Sequence, residues 1–504
     1  MTQRARAFLT ALTLVAAGAA TAQGARVQTK QYENGGIYEG TFRGGLQHGT
    51  GTYRLPNGYE YSGDWVEGEI LGQGVAKFPD GSVYEGSFVR GKPHGKGKIT
   101  FVDGGTYEGD WVENEMTGQG VAQYANGVRY EGSFVNALHD GEGVLVAPDG
   151  YRYEGQWIAG EKQGKGKITY ADGTIYEGGL IAGKRAGQGS LTKPDGFSYA
   201  GAWKDGQING QGRLTQPSGE VYEGMLVGGR RHGPGKATYP NGDVYEGAFV
   251  DDKREGEGTF TGADGFVYAG HWAGGAMEGE GTVTYPDGAV YTGRTRDNMA
   301  DGKGKITYPD GSSYEGDWAG NVMEGQGIAR YADGGVYEGG FREAKYEGSG
   351  TITYADGYRY EGEWSGGLRH GHGKASYADG STYEGEFAGG QRSGTGTLTS
   401  PEGFRYTGDW KDGEIDGTGE ATYPNGDVYT GMFRAGVPQG EGLMQYASGE
   451  ERAGRWENGQ LMQEGAEAAA AGAATGEAEA APLPSPPAEA APESPAAESP
   501  AAAN

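Results

Sequence analysis

A tyrosine returns every 23 residues, from Tyr38 through Tyr61, Tyr84 and Tyr107 to Tyr429. The spacing holds for eighteen consecutive copies without an insertion or deletion. A fixed period in this range marks a solenoid or array, in which each unit leans on its neighbours. A chain of 504 residues that admits no extra residue in any copy must stack every copy in register. Most of this protein therefore reads as one periodic surface, not as a globular body around a pocket.

The copies agree at more than tyrosine. Glycine stands two residues later, at Gly40, Gly63, Gly86 and onward to Gly431. A nineteenth, decayed copy keeps Gly454, with Arg452 in the tyrosine position. Four residues after the tyrosine comes a large side chain, as in Phe42, Trp65, Phe88 and Trp111, and all nine tryptophans fall there. Two further glycines follow, as in Gly49 and Gly51, and each unit closes on a turn such as Pro56-Asn57-Gly58.

Each unit predicts two short strands joined by two turns. In the first, Tyr314, Gly316 and Trp318 alternate with polar residues and so share one face of a pleated strand. The second is expected after Gly-x-Gly, as in Gly304-Lys305-Ile306-Thr307-Tyr308, with Ile306 and Tyr308 on one face. Pro-Asp-Gly is turn chemistry, since proline presets φ, Asp bonds its own backbone and Gly accepts positive φ. A glycine between two aromatics leaves a gap that a ring from a neighbouring strand can cover, and it lets the sheet bend. The expected fold is all-β: an elongated, single-layer, twisted antiparallel meander of about nineteen stacked hairpins. At about 4.8 Å per strand, a straight path would run on the order of 180 Å. One unit could not fold alone. Its few apolar side chains contribute roughly 1.5–3 kcal/mol each, against a backbone ordering cost of at least about 20 kcal/mol.

Tyr38-Glu39-Gly40-Thr41-Phe42 followed by His48-Gly49-Thr50-Gly51 closely resembles the MORN repeat, as does Tyr360-Glu361-Gly362-Glu363-Trp364 with His370-Gly371-His372-Gly373. The resemblance runs from Tyr38 to Glu464. It implies stacked β-hairpins and no catalytic residues. It also implies membrane and phospholipid association, or scaffolding through protein contacts or self-association. The glutamate after tyrosine is replaced at Ser62, Ala200, Ala269, Thr292, Thr407 and Thr430, and Thr295 stands where an aromatic belongs. A second period of 46 residues, Phe or Leu alternating with Trp, runs from Phe42 to Leu226 and resumes at Trp318. The gap reads either as a record of pairwise duplication or as a bend between residues 226 and 318.

The ends differ from the array. Arg4 and Arg6 precede an apolar stretch and Ala20-Thr21-Ala22, the pattern of a leader cleaved before Gln23. Residues 1–22 thus read as a signal peptide and 23–37 as an N-terminal half-repeat cap. Residues 38–464 read as the array, and 465–504 as a disordered Ala/Pro/Glu-rich tail. The leader and composition predict export to the periplasm or surface of a Gram-negative bacterium. There is no cysteine, so no disulfide supports the array. A net charge of −27 repels nucleic acid and anionic lipid, which opposes the phospholipid association that the resemblance brings.

No enzyme is expected. His48, His94, His232 and His370 are repeat positions set far apart, and His370 with His372 lacks a third ligand. The Gly-x-Gly segments precede no helix, so they do not read as phosphate loops. No metal and no cofactor is expected. Gly40, Gly49, Gly51, Gly58, Tyr38, Phe42, Trp65, Tyr314 and Trp318 read as fold positions. Specificity should then come from turns that vary, with Lys92, His94, Arg294, Arg296 and Asp297 as candidate partner contacts. The leading expectation is a scaffold binding protein partners or itself; the alternative is lipid or glycan recognition by the aromatic face.

Overall fold

The computed structural model describes residues 26–464; the leader and the tail read from sequence lie outside the described residues. Those residues form 39 strands and no helix. The chain divides into two units, one ending at Gly210 and the other starting at Gln211. The division falls upstream of the 226–318 stretch where the aromatic alternation loses phase. Within each unit, every strand pairs antiparallel with its neighbours in sequence, as Ile37–Arg43, Leu46–Arg54 and Glu60–Val66 do in the first. Val290–Arg296, Met299–Thr307 and Ser313–Ala319 do the same in the second. The expected all-β meander of hairpin repeats is the observed architecture.

The hairpin turn is tighter than expected. Only two residues join the strands, and both take positive φ: Gly44 at 60° with Gly45 at 84°, and Asp297 at 48° with Asn298 at 68°. This is a type I′ turn, whose twist matches that of the flanking strands. The returning strand therefore starts well before Gly-x-Gly, as in Met299–Thr307, and contains it, while Tyr308 lies beyond the strand end. At the other end of the hairpins, Asp or Asn closes the turn as anticipated in all copies but those with Ser218, Glu402 and Ser448. Asn57 Oδ1 accepts from Tyr59 N at 3.0 Å, and Asp310 Oδ1 from Ser312 N at 2.8 Å.

The two glycines of Gly-x-Gly do different work. Gly40 pairs with Gly51 but Phe42 pairs with Gln47, so Thr41 faces three residues in a bulge. Gly49, at φ 81°, sits in that bulge. Gly51 instead joins a row running strand to strand, Gly40 to Gly51 to Gly63 to Gly74. A Cβ on Gly51 would lie 2.3 Å from the Tyr38 hydroxyl, and one on Gly63 would lie 2.4 Å from Gly74 Cα. The ring covering the gap is thus not a neighbouring strand's. Tyr38 lies along its own strand over Gly40, reaches across Gly51, and donates its hydroxyl to Thr41 O at 3.1 Å.

These rings meet in runs from copy to copy, interrupted where Leu180, Leu226 or Thr295 stands in the aromatic position. Tyr61 meets Trp65 of its own copy at 5.7 Å and Phe88 of the next at 4.9 Å, both edge to face. Every tryptophan except Trp157 donates Nε1 to the glycine carbonyl fourteen residues back, as Trp65 does to Gly51 at 3.2 Å. One copy's ring therefore completes the hydrogen bonding of the copy before it. Thr295, in the aromatic position, is buried and donates to Gly279 O at 3.1 Å. The first strand, Gln28–Gln31, pairs with Ile37–Arg43. At the other end, Glu451–Glu457 and Gln460–Glu464 close the array over a fully buried Trp456.

Candidate functional site

The candidate contacts do not form one site. Lys92 and His94 lie in the first unit, Arg294, Arg296 and Asp297 in the second. Of the five, only Asp297 is a turn residue, because the type I′ turn leaves the others on strands. Lys92 pairs with Glu113 of the next copy at 2.8 Å, and Arg296 pairs with Asp301 at 3.1 Å. His94 keeps Nδ1 buried without a hydrogen bond. Arg294 lies exposed on the polar face, its Cδ 3.2 Å from where a Cβ on Gly302 would stand. The lysines beside Gly-x-Gly do not make a basic stripe either. Lys98, Lys305 and Lys374 each face a glutamate across the ladder, at 3.7, 3.7 and 3.2 Å. Such exposed pairs contribute at most about 1 kcal/mol.

Several of the residues read as fold positions pack inward. Tyr38, Trp65, Tyr314 and Trp318 are 0, 5, 1 and 4% exposed. Phe42, in the first copy, is half-buried. Burial pushes the phenol of Tyr84 up to about 12, so this row stays neutral.

Two further columns carry the variation; the sequence reading saw the histidines of one of them, His48, His94, His232 and His370, but not its role, and missed the other. Ten residues after the tyrosine, several copies place a hydrogen-bond acceptor that ties one copy to the next, whereas Leu71 and Ala186 stand there in others. Asp140 accepts from Ala159 N at 3.0 Å, Gln163 from Ala182 N at 2.9 Å, and Glu255 from Gly274 N at 2.9 Å. His48 Nδ1 faces Glu67 N at 3.4 Å in the same role. The clue available in sequence was a shared acceptor in place of a shared residue.

The other column lies nine residues after the tyrosine, directly across the ladder from the large aromatic, and covers the ring row. Trp65 faces Ile70, Trp157 faces Lys162, Phe249 faces Arg254 and Trp364 faces Arg369. Cations here lie over rings: Arg185 is 4.3 Å from Trp203, Arg254 4.7 Å from Trp272, and Arg392 4.6 Å from Trp410. Arg369 is 1% exposed; its Nη2 donates to Gly390 O at 2.5 Å and its Nη1 to the Tyr358 hydroxyl. In two copies the cover is a flat ring. His139 stacks on Tyr130 at 3.6 Å and Tyr346 on Tyr337 at 3.7 Å.

Beside Tyr346 the aromatic face of the second unit opens into a groove of about 560 Å³, lined among others by Tyr308, Met323, Tyr331 and Phe341. The Tyr331 and Tyr346 hydroxyls bond to each other at its side. Chemically it offers phenol edges, a thioether and a proline, Pro309. Among the described residues no cluster of three or more histidine or acidic side chains could hold a metal ion. No described helix is long and apolar enough to cross a membrane.

Comparison with known proteins follows this geometry. The family model described as MORN repeat matches eighteen segments, from 38–58 and 61–83 through 406–428 and 429–451. Rat Alsin is 43% identical over 53 residues, which is 10% of this chain and 3% of that protein. The chain thus matches only that small share of the curated relative. Among solved structures, the SAS-4 TCP domain of Drosophila melanogaster, in complex with a proline-rich motif of Ana2, is 15% identical. That match covers 43% of this chain and 99% of the other, with a TM-score of 0.19. The TCP10 domain of Danio rerio CPAP is 15% identical, covering 52% and 95%, with a TM-score of 0.17. At these scores neither likeness carries an argument.

Proposed function

We propose, starting from the fact that the chain belongs to the MORN-repeat family, a non-enzymatic scaffold that binds protein partners or itself. The leader reading of residues 1–22 supports an exported protein acting in the periplasm or at the surface of a Gram-negative bacterium. The observation that carries the scaffold reading is burial. Trp65, Trp157 and Trp364 are only 5, 4 and 2% exposed, so the rings repeated in every copy are spent on packing. A sugar or acyl chain could not stack on them without opening the core. What a partner can read is what differs between copies: the hairpin turns, the residues flanking them, and the column that covers the ring row.

A second reading rests on the groove beside Tyr346, whose half-buried Tyr308 and Tyr331 offer ring edges to an envelope glycan or lipid. The acidic charge opposes anionic lipid there. The two readings separate in one experiment. Residues 296–299, the contiguous exposed part of the 294–300 segment, are replaced by their counterparts 319–322, and separately Tyr331→Ala is made. Capture of proteins from envelope extract is then compared with binding of envelope glycan and of detergent-solubilised lipid. The scaffold reading expects the segment exchange to change the captured proteins while thermal stability stays within about 0.5 kcal/mol. Unchanged capture, together with glycan or lipid binding lost in Tyr331→Ala, would give the groove the leading role.

A further inference from the structure

The hairpin ends of the first unit carry an exposed stripe that the packing does not use. One residue beyond the large aromatic, six consecutive copies place an aliphatic side chain: Val66, Val89, Val112, Val135, Ile158 and Ile181. They point away from the aromatic face. Five of them are 38 to 60% exposed, and Val89 is half-buried. Arg43 and Lys204 end the run on either side. Successive tips lie side by side, because each turn N–H bonds back to the preceding copy, as Gly91 N does to Ile70 O at 3.0 Å. The spacing along the stripe is about 9.6 Å, two strands per copy.

Across the ladder from each aliphatic residue stands a second column. Val66 faces Glu69, Val89 faces Lys92, Val112 faces Glu115, Val135 faces Leu138, Ile158 faces Glu161 and Ile181 faces Lys184. The charge order of that column, minus, plus, minus, neutral, minus, plus, is complementary to its own reversal. A two-fold axis between the third and fourth copies would set Glu69 against Lys184 and Lys92 against Glu161. It would set Glu115 against Leu138, with Val112 on Val135 at the centre. Each ion pair then occurs twice, as an isologous contact requires.

We propose that this stripe is the surface on which a second copy of the chain docks, antiparallel and in that register. The proposal rests on the scaffold reading in its self-binding form. The two neighbouring antiparallel registers and the in-register parallel one are disfavoured by charge. A slip of one copy in one direction sets Lys92 against Lys184 and Glu115 against Glu161. A slip in the other sets Glu69 against Glu161 and Glu115 against itself. A parallel arrangement in register sets every charge against itself, and a slipped one is head-to-tail and does not close on a two-fold axis. Like charges placed opposite one another select against wrong pairings. In the proposed register Arg43 meets Lys204, which stops the contact from spreading beyond six copies.

Sedimentation velocity on the full chain over a range of concentrations tests this. A concentration-dependent dimer is expected, and Val135→Lys, at an exposed central position, should drive it to monomer without changing the circular dichroism melt. Glu69→Lys alone or Lys184→Glu alone should weaken the dimer at least tenfold. The double variant, and an equimolar mixture of the two single variants, should regain it. Residues 69 and 184 are five copies apart, about 50 Å, so the rescue can only be between molecules. A chain that stays monomeric at every concentration overturns the proposal. So does a dimer indifferent to Val135→Lys, or one whose charge-reversed singles are not rescued by combination. A monomer would leave the scaffold reading standing, because that is read out by the 296–299 exchange in the other unit.

Discussion

The copies between residues 66 and 184 in the first unit and those between 273 and 411 in the second share strands, turns and registers, yet present different surfaces. Beyond the large aromatic the first group exposes Val or Ile; the second has Ala273, Arg296, Ala319, Arg342, Ser365, Ala388 and Lys411. The first group covers its rings with Ile70, Pro93, Met116 and His139, the second with Met323, Tyr346, Arg369 and Arg392. A second ring row, Tyr285, Tyr308, Tyr331, Tyr354 and Tyr377, lines the second group, where the first has Phe78, Phe101, Tyr124, Ala147 and Tyr170. The difference teaches that the 23-residue frame is held by a few columns. The remaining columns can change without disturbing it.

If the frame is common, damage to it should cost the same in both units. Tyr84→Ala and Tyr314→Ala each remove a ring that is at most 1% exposed, and each should lose about 3–5 kcal/mol in a denaturant melt. A loss confined to one unit would break the equivalence. Next in size is the glycine row. Gly63→Ala would press a methyl within 2.5 Å of Gln73 O and 2.4 Å of Gly74 Cα, backbone atoms that cannot step aside. A loss of about 1–3 kcal/mol is expected. Gly44→Ala should cost less, about 1 kcal/mol, because nothing lies within 4 Å of its Cβ and only the φ of 60° resists the side chain.

The two flat covers sharpen the comparison through pH. Burial pushes the His139 pKa down to about 4 from an ordinary 6.5. Between those values the unfolded chain takes a proton that the folded copy refuses. Stability present above about pH 6.5 therefore falls as pH drops toward 4. Tyr346 holds the equivalent place, and burial moves its hydroxyl upward, away from this window. His139→Tyr should flatten the dependence of the melting temperature between pH 7 and 4.5, whereas Tyr346→His should steepen it. The smallest effect is expected at the polar face. Breaking the exposed Lys305–Glu315 pair with Lys305→Gln should change stability by less than about 0.5 kcal/mol.

Much of the fold was legible from residues that every copy repeats. Tyr, Gly and Trp at alternate positions announce a strand with one aromatic face, and Asp-Gly announces the turn that follows. Less legible was the hairpin turn. Its residues include Glu343-Ala344 as well as Gly389-Gly390, so no residue type marks it, yet all four carry positive φ. The turn is imposed by the register of the strands on either side, which is why Lys92 and Arg294 belong to strands.

What the sequence determined alone was the period and the identity of the buried columns, because close packing of rings over bare glycine fixes Tyr and Gly at their positions and keeps the column beside them almost always large and apolar. What only the tertiary structure decided was the role of the positions that vary. The bulge at Gly49 sets the residue nine places after the tyrosine over the ring row and the one ten places after it against the next copy's turn. A chemical role shared by Asp, Gln, Glu and His leaves no single residue to read. It exists only once neighbouring copies bring a donor within hydrogen-bonding distance.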